Sequence, residues 1–218
     1  MAEIRWFGHG CFRIRAKEAT ILIDPVGPKT GYALGKQQAD IVTISHTHPG
    51  HNHLAAVRQP YQVIEGPGEY EMHDASIIGI RTHHDTKKGA ELGHNTIYVI
   101  EVEGMRFAHL GDLGHDLSED HAEALEGVDI LFISAGGGNV LAPDAAAELA
   151  ARIGPKVVIP MQFRTATGDQ ALEPVDAFCK QVGTDVPEPV SKITIRPADL
   201  GDTMQVIVLD PESESSGR

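Results

Sequence analysis

One stretch of this 218-residue chain concentrates residues able to do chemistry: Ser45-His46-Thr47-His48-Pro49-Gly50-His51-Asn52-His53. Imidazole is a nitrogen donor for divalent transition ions and exchanges protons near neutral pH. The stretch follows Ile41–Ile44, an apolar run of strand length. If the chain stays extended beyond that run, His46 and His48 project to the same side, because strand side chains repeat every two residues. His51 falls where a helix over Asn52–Val57 is expected to begin. The positive end of such a helix disfavours imidazolium and favours the neutral, metal-binding ring. With 12 histidines in the chain, spacing alone is only suggestive. Its position at the end of a buried-type strand strengthens it, since sites in open sheets gather beyond the carboxyl ends of strands.

Asp112 is a second candidate. It closes His109-Leu110-Gly111-Asp112, where a tight turn after a strand would bring the carboxylate to the same edge, although Asp in such a place is also a common turn former or helix cap. Ala135-Gly136-Gly137-Gly138 follows a strand without the Gly-Lys-Ser/Thr of a phosphate-cradling loop, and reads as a flexible pocket rim. His53, His73, His94, His109, His115 and His121 read as surface or packing residues.

The elements that must position these groups are strands first, then strands alternating with helices. Ile4–Phe7, Cys11–Arg15, Thr20–Ile23, Ile41–Ile44, Ser76–Ile80, Thr96–Val102 and Met105–Ala108 read as strands, the last two joined by a tight Glu103-Gly104 turn. Gly27–Gly35 and the Gly-Pro-Gly-Glu-Tyr-Glu segment read as loops. Beyond them, Ser118–Leu125 with Ser118 as cap, Pro143–Ile153 and Pro174–Val182 read as helices. They alternate with strands at Ile130–Ile133, Val157–Ile159, Ile193–Ile195 and Gln205–Leu209. The pattern describes a layered α/β architecture in one domain, residues 1–210, followed by a Ser/Glu/Gly tail over 211–218 expected to be disordered.

Composition narrows the function. A hydrophobic fraction of 41% supports a buried core, and no apolar run reaches the ~20 residues a membrane helix needs. Met-Ala-Glu-Ile-Arg-Trp leads from no basic stretch into an apolar one, so no secretory leader is expected. Cys11 and Cys179 are far apart in sequence and read as two buried thiols, in keeping with a cytoplasmic protein. A net charge of −13 argues against nucleic acid, whose binding draws on Lys and Arg. The partners expected are a small-molecule substrate, no nucleic acid and no membrane, with a homo-oligomer left open.

The segment from His46 to His51 resembles the H-x-H-x-D-H signature of the metallo-β-lactamase superfamily, and most of all its bacterial metal-dependent hydrolases related to L-ascorbate-6-phosphate lactonase. Gly8-His9-Gly10, Leu22-Ile23-Asp24-Pro25, His109-Leu110-Gly111-Asp112 and Val157–Met161 resemble further motifs of that family, so the likeness runs over nearly the whole chain. It implies a four-layer αββα sandwich. It further implies that His46 and His48 bind one metal with a histidine from Thr82–Asp85. His84 is preferred to His83 because a His-Asp pair stands there in close relatives. Asp112 would be the carboxylate bridging two metals, and His9 and Asp24 would brace the ligands.

The chain departs from the signature twice. Gly50 stands where the motif has Asp, and Gln162 where a last metal histidine is expected. Both changes fall on the second metal position, which would also use His51 and Asp112, so one ion is expected, zinc or manganese. Replacement donors from His53, Glu69 or Glu71 have no support from spacing. The leading expectation is a metal-dependent hydrolase acting on a small polar lactone, ester or phosphoester, with Asp112 and His51 as catalytic groups. The alternative is a degenerate member that binds metal or ligand for sensing or scaffolding. On sequence grounds, Gly50→Asp together with Gln162→His should rebuild the second site.

Overall fold

The computed structural model describes residues 1–212. Alternating burial along Ala2–Trp6 (β1) marks a strand with one covered face. It pairs antiparallel with Phe12–Arg15 (β2), which pairs antiparallel with Thr20–Ile23 (β3). Ile41–Ile44 (β5) and Gln62–Glu65 (β7) then add in parallel. With Ile193–Ile195 (β14) on the other edge, the first sheet runs β14-β1-β2-β3-β5-β7. Gln37–Gln38 (β4) and Val57–Arg58 (β6) form a separate two-residue pair.

The second sheet begins with three antiparallel strands, Gly68–Met72 (β8), Ala75–His83 (β9) and His94–Val102 (β10). Met105–His109 (β11) follows across the Glu103-Gly104 turn. Ile130–Ser134 (β12) and Val157–Met161 (β13) continue in parallel, and Gln205–Val206 (β15) closes the edge. Every residue of β12 and β13 is buried, as expected for parallel strands covered on both faces.

The two sheets face each other across a core containing Trp6, Phe12, Tyr98, Phe107 and Phe132. Phe12 and Phe132 meet across it at 4.4 Å between ring centroids. The outer face of the second sheet is covered by Pro143–Ile153 (α2) and Val175–Val182 (α3), through Ala146, Leu149, Phe178 and Cys179 against Val99, Leu131 and Val158. A shorter helix, Glu119–Ala124 (α1), starts at Ser118, whose hydroxyl accepts from the His121 amide. On the first sheet, Phe7, Cys11, Leu22, Val42 and Ile44 are covered by Val26, Leu34, Ala56 and Val57. These come from loops, a 3₁₀ turn and strand β6 rather than from an α-helix. Both cysteines are buried and unpaired, in separate clusters.

Three expectations need correction. The helix expected over Asn52–Val57 is a single 3₁₀ turn, Leu54–Ala56, because the chain is drawn straight into β6. Glu69 and Glu71, expected in a loop, lie on strand β8. That strand is folded back on β9 by His73 and Asp74, both in the left-handed region (φ 51° and 55°). In the stretch expected to be disordered, the Glu212 amide donates to the Trp6 carbonyl at 2.8 Å and its carboxylate receives Arg5; residues 213–218 lie outside those described.

Tyr98 ties the sheets together where the histidine-bearing strand ends. Its hydroxyl donates to the Ile44 carbonyl at 2.8 Å and accepts from the Gly66 amide at 3.0 Å. Tyr98→Phe would leave that amide and that carbonyl short of a partner. A loss of about 1–3 kcal/mol in unfolding free energy is expected, measured by urea denaturation.

Candidate metal centre

Strand β5 ends at Ile44, and the segment that follows is anchored at Ser45 and His51 by one buried carboxylate. Asp24 is wholly buried in the left-handed region (φ 46°), and its oxygens receive the Ser45 amide at 2.7 Å and the Ser45 hydroxyl at 2.5 Å. The hydroxyl proton being used there, His46 Nδ1–H donates to Ser45 Oγ at 2.9 Å. His46 Nε2 therefore carries a lone pair. Asp24 also accepts from His51 Nδ1 at 2.8 Å, which turns His51 Nε2 toward the same space. Carboxylates that fix the tautomer of a ligating imidazole work in this way.

His84 arrives from the other sheet, one residue beyond β9. Its amide donates to the Gly93 carbonyl, and Asp85 accepts four backbone amides, from Lys87, Gly89, Glu91 and Leu92. Those bonds, led by that from Leu92, hold the Asp85 carboxyl well below its ordinary range. The loop behind His84 is thus wound on a single side chain. His83 points elsewhere: its ring lies 5.4 Å from that of His115 and 5.5 Å from that of His94.

The ligand atoms of His46, His48 and His84 lie within 4.8 Å of one another. Asp112 stands beside them with its two oxygens divided. Oδ2 is 3.5 Å from His46 Nε2 and 3.0 Å from His84 Nε2, and Oδ1 is 3.3 Å from His51 Nε2. The Asp112 amide donates to Asn95 Oδ1 at 3.0 Å. The preceding Gly111 has φ +57°, and a Cβ there would sit 2.3 Å from Asn95 Oδ1, so this turn accepts only glycine. His109, buried, joins the turn to the β1–β2 loop: Nε2 donates to the Gly10 carbonyl at 2.9 Å, and Nδ1 accepts from the Gly111 amide at 3.1 Å.

The donor set fits a divalent transition ion. His46 Nε2 is a buried polar atom with no hydrogen-bond partner, a costly state unless an electrophile fills it. Burial pushes the His46 imidazole down to about 3, so it is neutral and able to ligate. Burial also acts to lower His51 and His84. At His51 the charges of Asp112 and Asp24 win and raise it to about 10, and at His84 contact with Asp112 raises it. Burial works to raise the Asp112 carboxyl, but His51 foremost holds it well below its usual range. The helix-end argument for a neutral His51 fails, since there is no helix and two carboxylates set its charge.

A cavity of about 410 Å³ opens over this cluster, walled by Tyr32, Val140, Phe163 and Leu172, with Gly137 and Gly138 on its rim. No Lys or Arg is among the residues that line it, and Asp169 is. A second group, Asp24, His46 and His51, brings its ligand atoms equally close and shares His46 with the first; Glu69, Glu71 and His53 belong to neither group among the described residues. Sequence reasoning used Asp85 only as the second half of a His-Asp pair and missed Asn95; the two hold the loop behind His84 and the turn of Asp112. Their buried hydrogen bonds leave no periodic trace in sequence.

The model of the beta-lactamase superfamily domain matches residues 3–162. The chain belongs to the metallo-β-lactamase superfamily. Among curated relatives it is 30% identical to the UPF0173 metal-dependent hydrolase of Alkaliphilus metalliredigens, over 75% of this chain and 86% of that one. It is 25% identical to that of Thermococcus onnurineus over 97% of each. A solved Thermotoga maritima protein, assigned as a Zn-dependent hydrolase of the metallo-beta-lactamase superfamily, is 33% identical. It superposes with a TM-score of 0.79, covering 96% of this chain and all of that one.

Proposed function

We propose that this protein is a hydrolase that uses one divalent transition ion, zinc or manganese, and acts on a small uncharged ester or lactone. The observation that carries the reading is the convergence of His46, His48 and His84 on one point beside Asp112, with His46 Nε2 buried and unpaired. Three imidazoles and a carboxylate suit a borderline ion with a position left for water. The relatives named as metal-dependent hydrolases support the same chemistry.

An ion held there would supply Lewis acidity, lowering the pKa of a water and polarising the substrate carbonyl. The rest falls to the chain. Asp112 Oδ2 faces the triad and is held ionised, so it accepts a hydrogen bond from the attacking water and orients it. His51 lines the same cavity with Nδ1 fixed on Asp24, and its Nε2 holds a proton that a leaving oxygen can take. Tyr32, Phe163 and Leu172 exclude water from an apolar substrate flank.

Substrate charge follows from the walls. A phosphorylated substrate would bring its charge into a cavity that offers no Lys or Arg and has Asp169 on its lining. The lack of a nucleic-acid partner agrees with the net charge of −13, a cytoplasmic location agrees with two buried, unpaired cysteines, and no helix among the described residues is long and apolar enough to cross a membrane. A panel of lactones, carboxylic esters, phosphomonoesters and phosphodiesters, given to metal-filled protein, tests the reading. Neutral esters or lactones should exceed their phosphorylated counterparts in kcat/KM by about tenfold or more. Preference for the phosphorylated compounds would reject the substrate class, and no turnover of any of them would reject the hydrolase.

A further inference from the structure

Asp112 is shared between two unlike environments. Oδ2 belongs to the His46–His84 side, whereas Oδ1 looks toward His51 Nε2 and half-encloses a second polar space with it. What fills that space is the side chain of Gln162. The residue is buried, 3% exposed, and sits in the left-handed region at φ 50°, a conformation a glutamine holds only when its surroundings impose it. Its Nε2 is 2.9 Å from Asp112 Oδ1 and 3.1 Å from His9 Nδ1, and its Oε1 receives the Ser134 hydroxyl. A carboxylate oxygen only accepts, so the amide must present its NH₂ group to Asp112. Both amide hydrogens are then used, one on Oδ1 and one on a neutral His9, whose ring burial lowers to about 4.

His9 completes the arrangement from the other side. Also in the left-handed region (φ 51°), it lies 4.5 Å from His51 between ring centroids. A Cβ on Gly50 would come within 2.8 Å of His9 Nε2. The space beside Gly50 is therefore taken by an imidazole, and the space between Asp112 and His9 by an amide.

We propose that the Gln162 carboxamide occupies the place of a second metal ion, making this a centre built for one ion, in which Asp112 Oδ1 is held by an amide N–H in place of a cation. This rests on the reading of His46, His48 and His84 as the first site. Gln162 is a positioning residue: it acts through Asp112, keeping Oδ2 turned to the triad. The amide supplies direction and a partial positive charge, and it leaves no room on Oδ1 for an ion.

Gln162→Glu tests this with almost no change of shape, because Ser134 can still donate while the face toward Asp112 Oδ1 becomes a second carboxylate. Two such oxygens 2.9 Å apart need a cation or a proton between them. Protein stripped with chelator, reloaded with Mn²⁺ and desalted should hold one ion per chain in wild type and two in Gln162→Glu. Electron paramagnetic resonance should change from an isolated-ion spectrum to that of a coupled pair. In the chelator-stripped state, Gln162→Glu should unfold several degrees below wild type, and Gln162→Met, which keeps the volume without a donor, should also fall below it. Two coupled ions in wild type would overturn the proposal, whatever the variants do, and so would a Gln162→Glu protein that takes one ion and binds no extra proton relative to wild type. If wild type binds no ion at all, the first-site reading fails. The hold of the amide on Asp112 is then judged by the stripped proteins, and equal unfolding temperatures for all three would overturn it.

Discussion

Replacing His84 by alanine should empty the centre and abolish hydrolysis, while replacing its neighbour His83 should do neither. His84 Nε2 lies 3.0 Å from Asp112 Oδ2 and forms one cluster with His46 and His48. Its removal takes away one of the three imidazoles and the contact that sets Asp112 Oδ2, so the remaining donors hold an ion much more weakly and should release it to chelator during desalting. The lost Lewis acidity is worth several kcal/mol of transition-state stabilisation, or about a thousandfold or more in turnover. His83 packs against His94 and His115 instead, so His83→Ala should keep about one ion and near wild-type turnover. Metal content by plasma emission and turnover of a neutral ester, on all three proteins, decide it. A His84→Ala protein that retains its ion would place the centre elsewhere.

The contrast between His83 and His84 also marks how far sequence reading reaches. Alternation delivers His46 and His48 to one side because each follows an extended strand whose four residues are all buried. Adjacent histidines at the end of β9 are different: period two puts them on opposite faces but does not say which face is the site. The answer lies in Asp85, whose carboxylate gathers the four amides of the loop behind His84. The strands of the second sheet are legible from their apolar runs. β8 is not, since Gly68-Glu69-Tyr70-Glu71-Met72 becomes a strand through its ladder with β9, and none of its residues is fully buried. The helix over Asn52–Val57 fails for the same class of reason, a tertiary pairing of β6 with β4. Gln162 shows the limit most clearly. As a letter in the chain it is a missing histidine; in the fold it is a side chain with Ser134, Asp112 and His9 each at a hydrogen-bonding atom.

That difference changes what Gly50→Asp should do. Sequence reasoning makes the glycine a lost ligand, so that Asp at 50 with His at 162 would restore a second site. Gly50 is not in the left-handed region, and the backbone itself would accept an aspartate. The obstacle is space: a Cβ would lie 2.8 Å from His9 Nε2 and 3.2 Å from Thr30 Cγ2. His9 cannot yield freely, because its Nδ1 is engaged by Gln162 and its ring is packed against His51. Gly50→Asp alone is therefore expected to cost about 1–3 kcal/mol of stability by overpacking and to leave metal content at about one ion per chain. Adding Gln162→His frees Asp112 Oδ1 but keeps the collision. The combination expected to hold two ions is Gly50→Asp, Gln162→His and His9→Ala, in which the carboxylate, the new imidazole, His51 and Asp112 all reach one space. Urea denaturation and metal analysis across the single, double and triple variants separate the two accounts. A double variant as stable as wild type and filled with two ions would mean that His9 is no barrier and that Gly50 is simply an absent ligand.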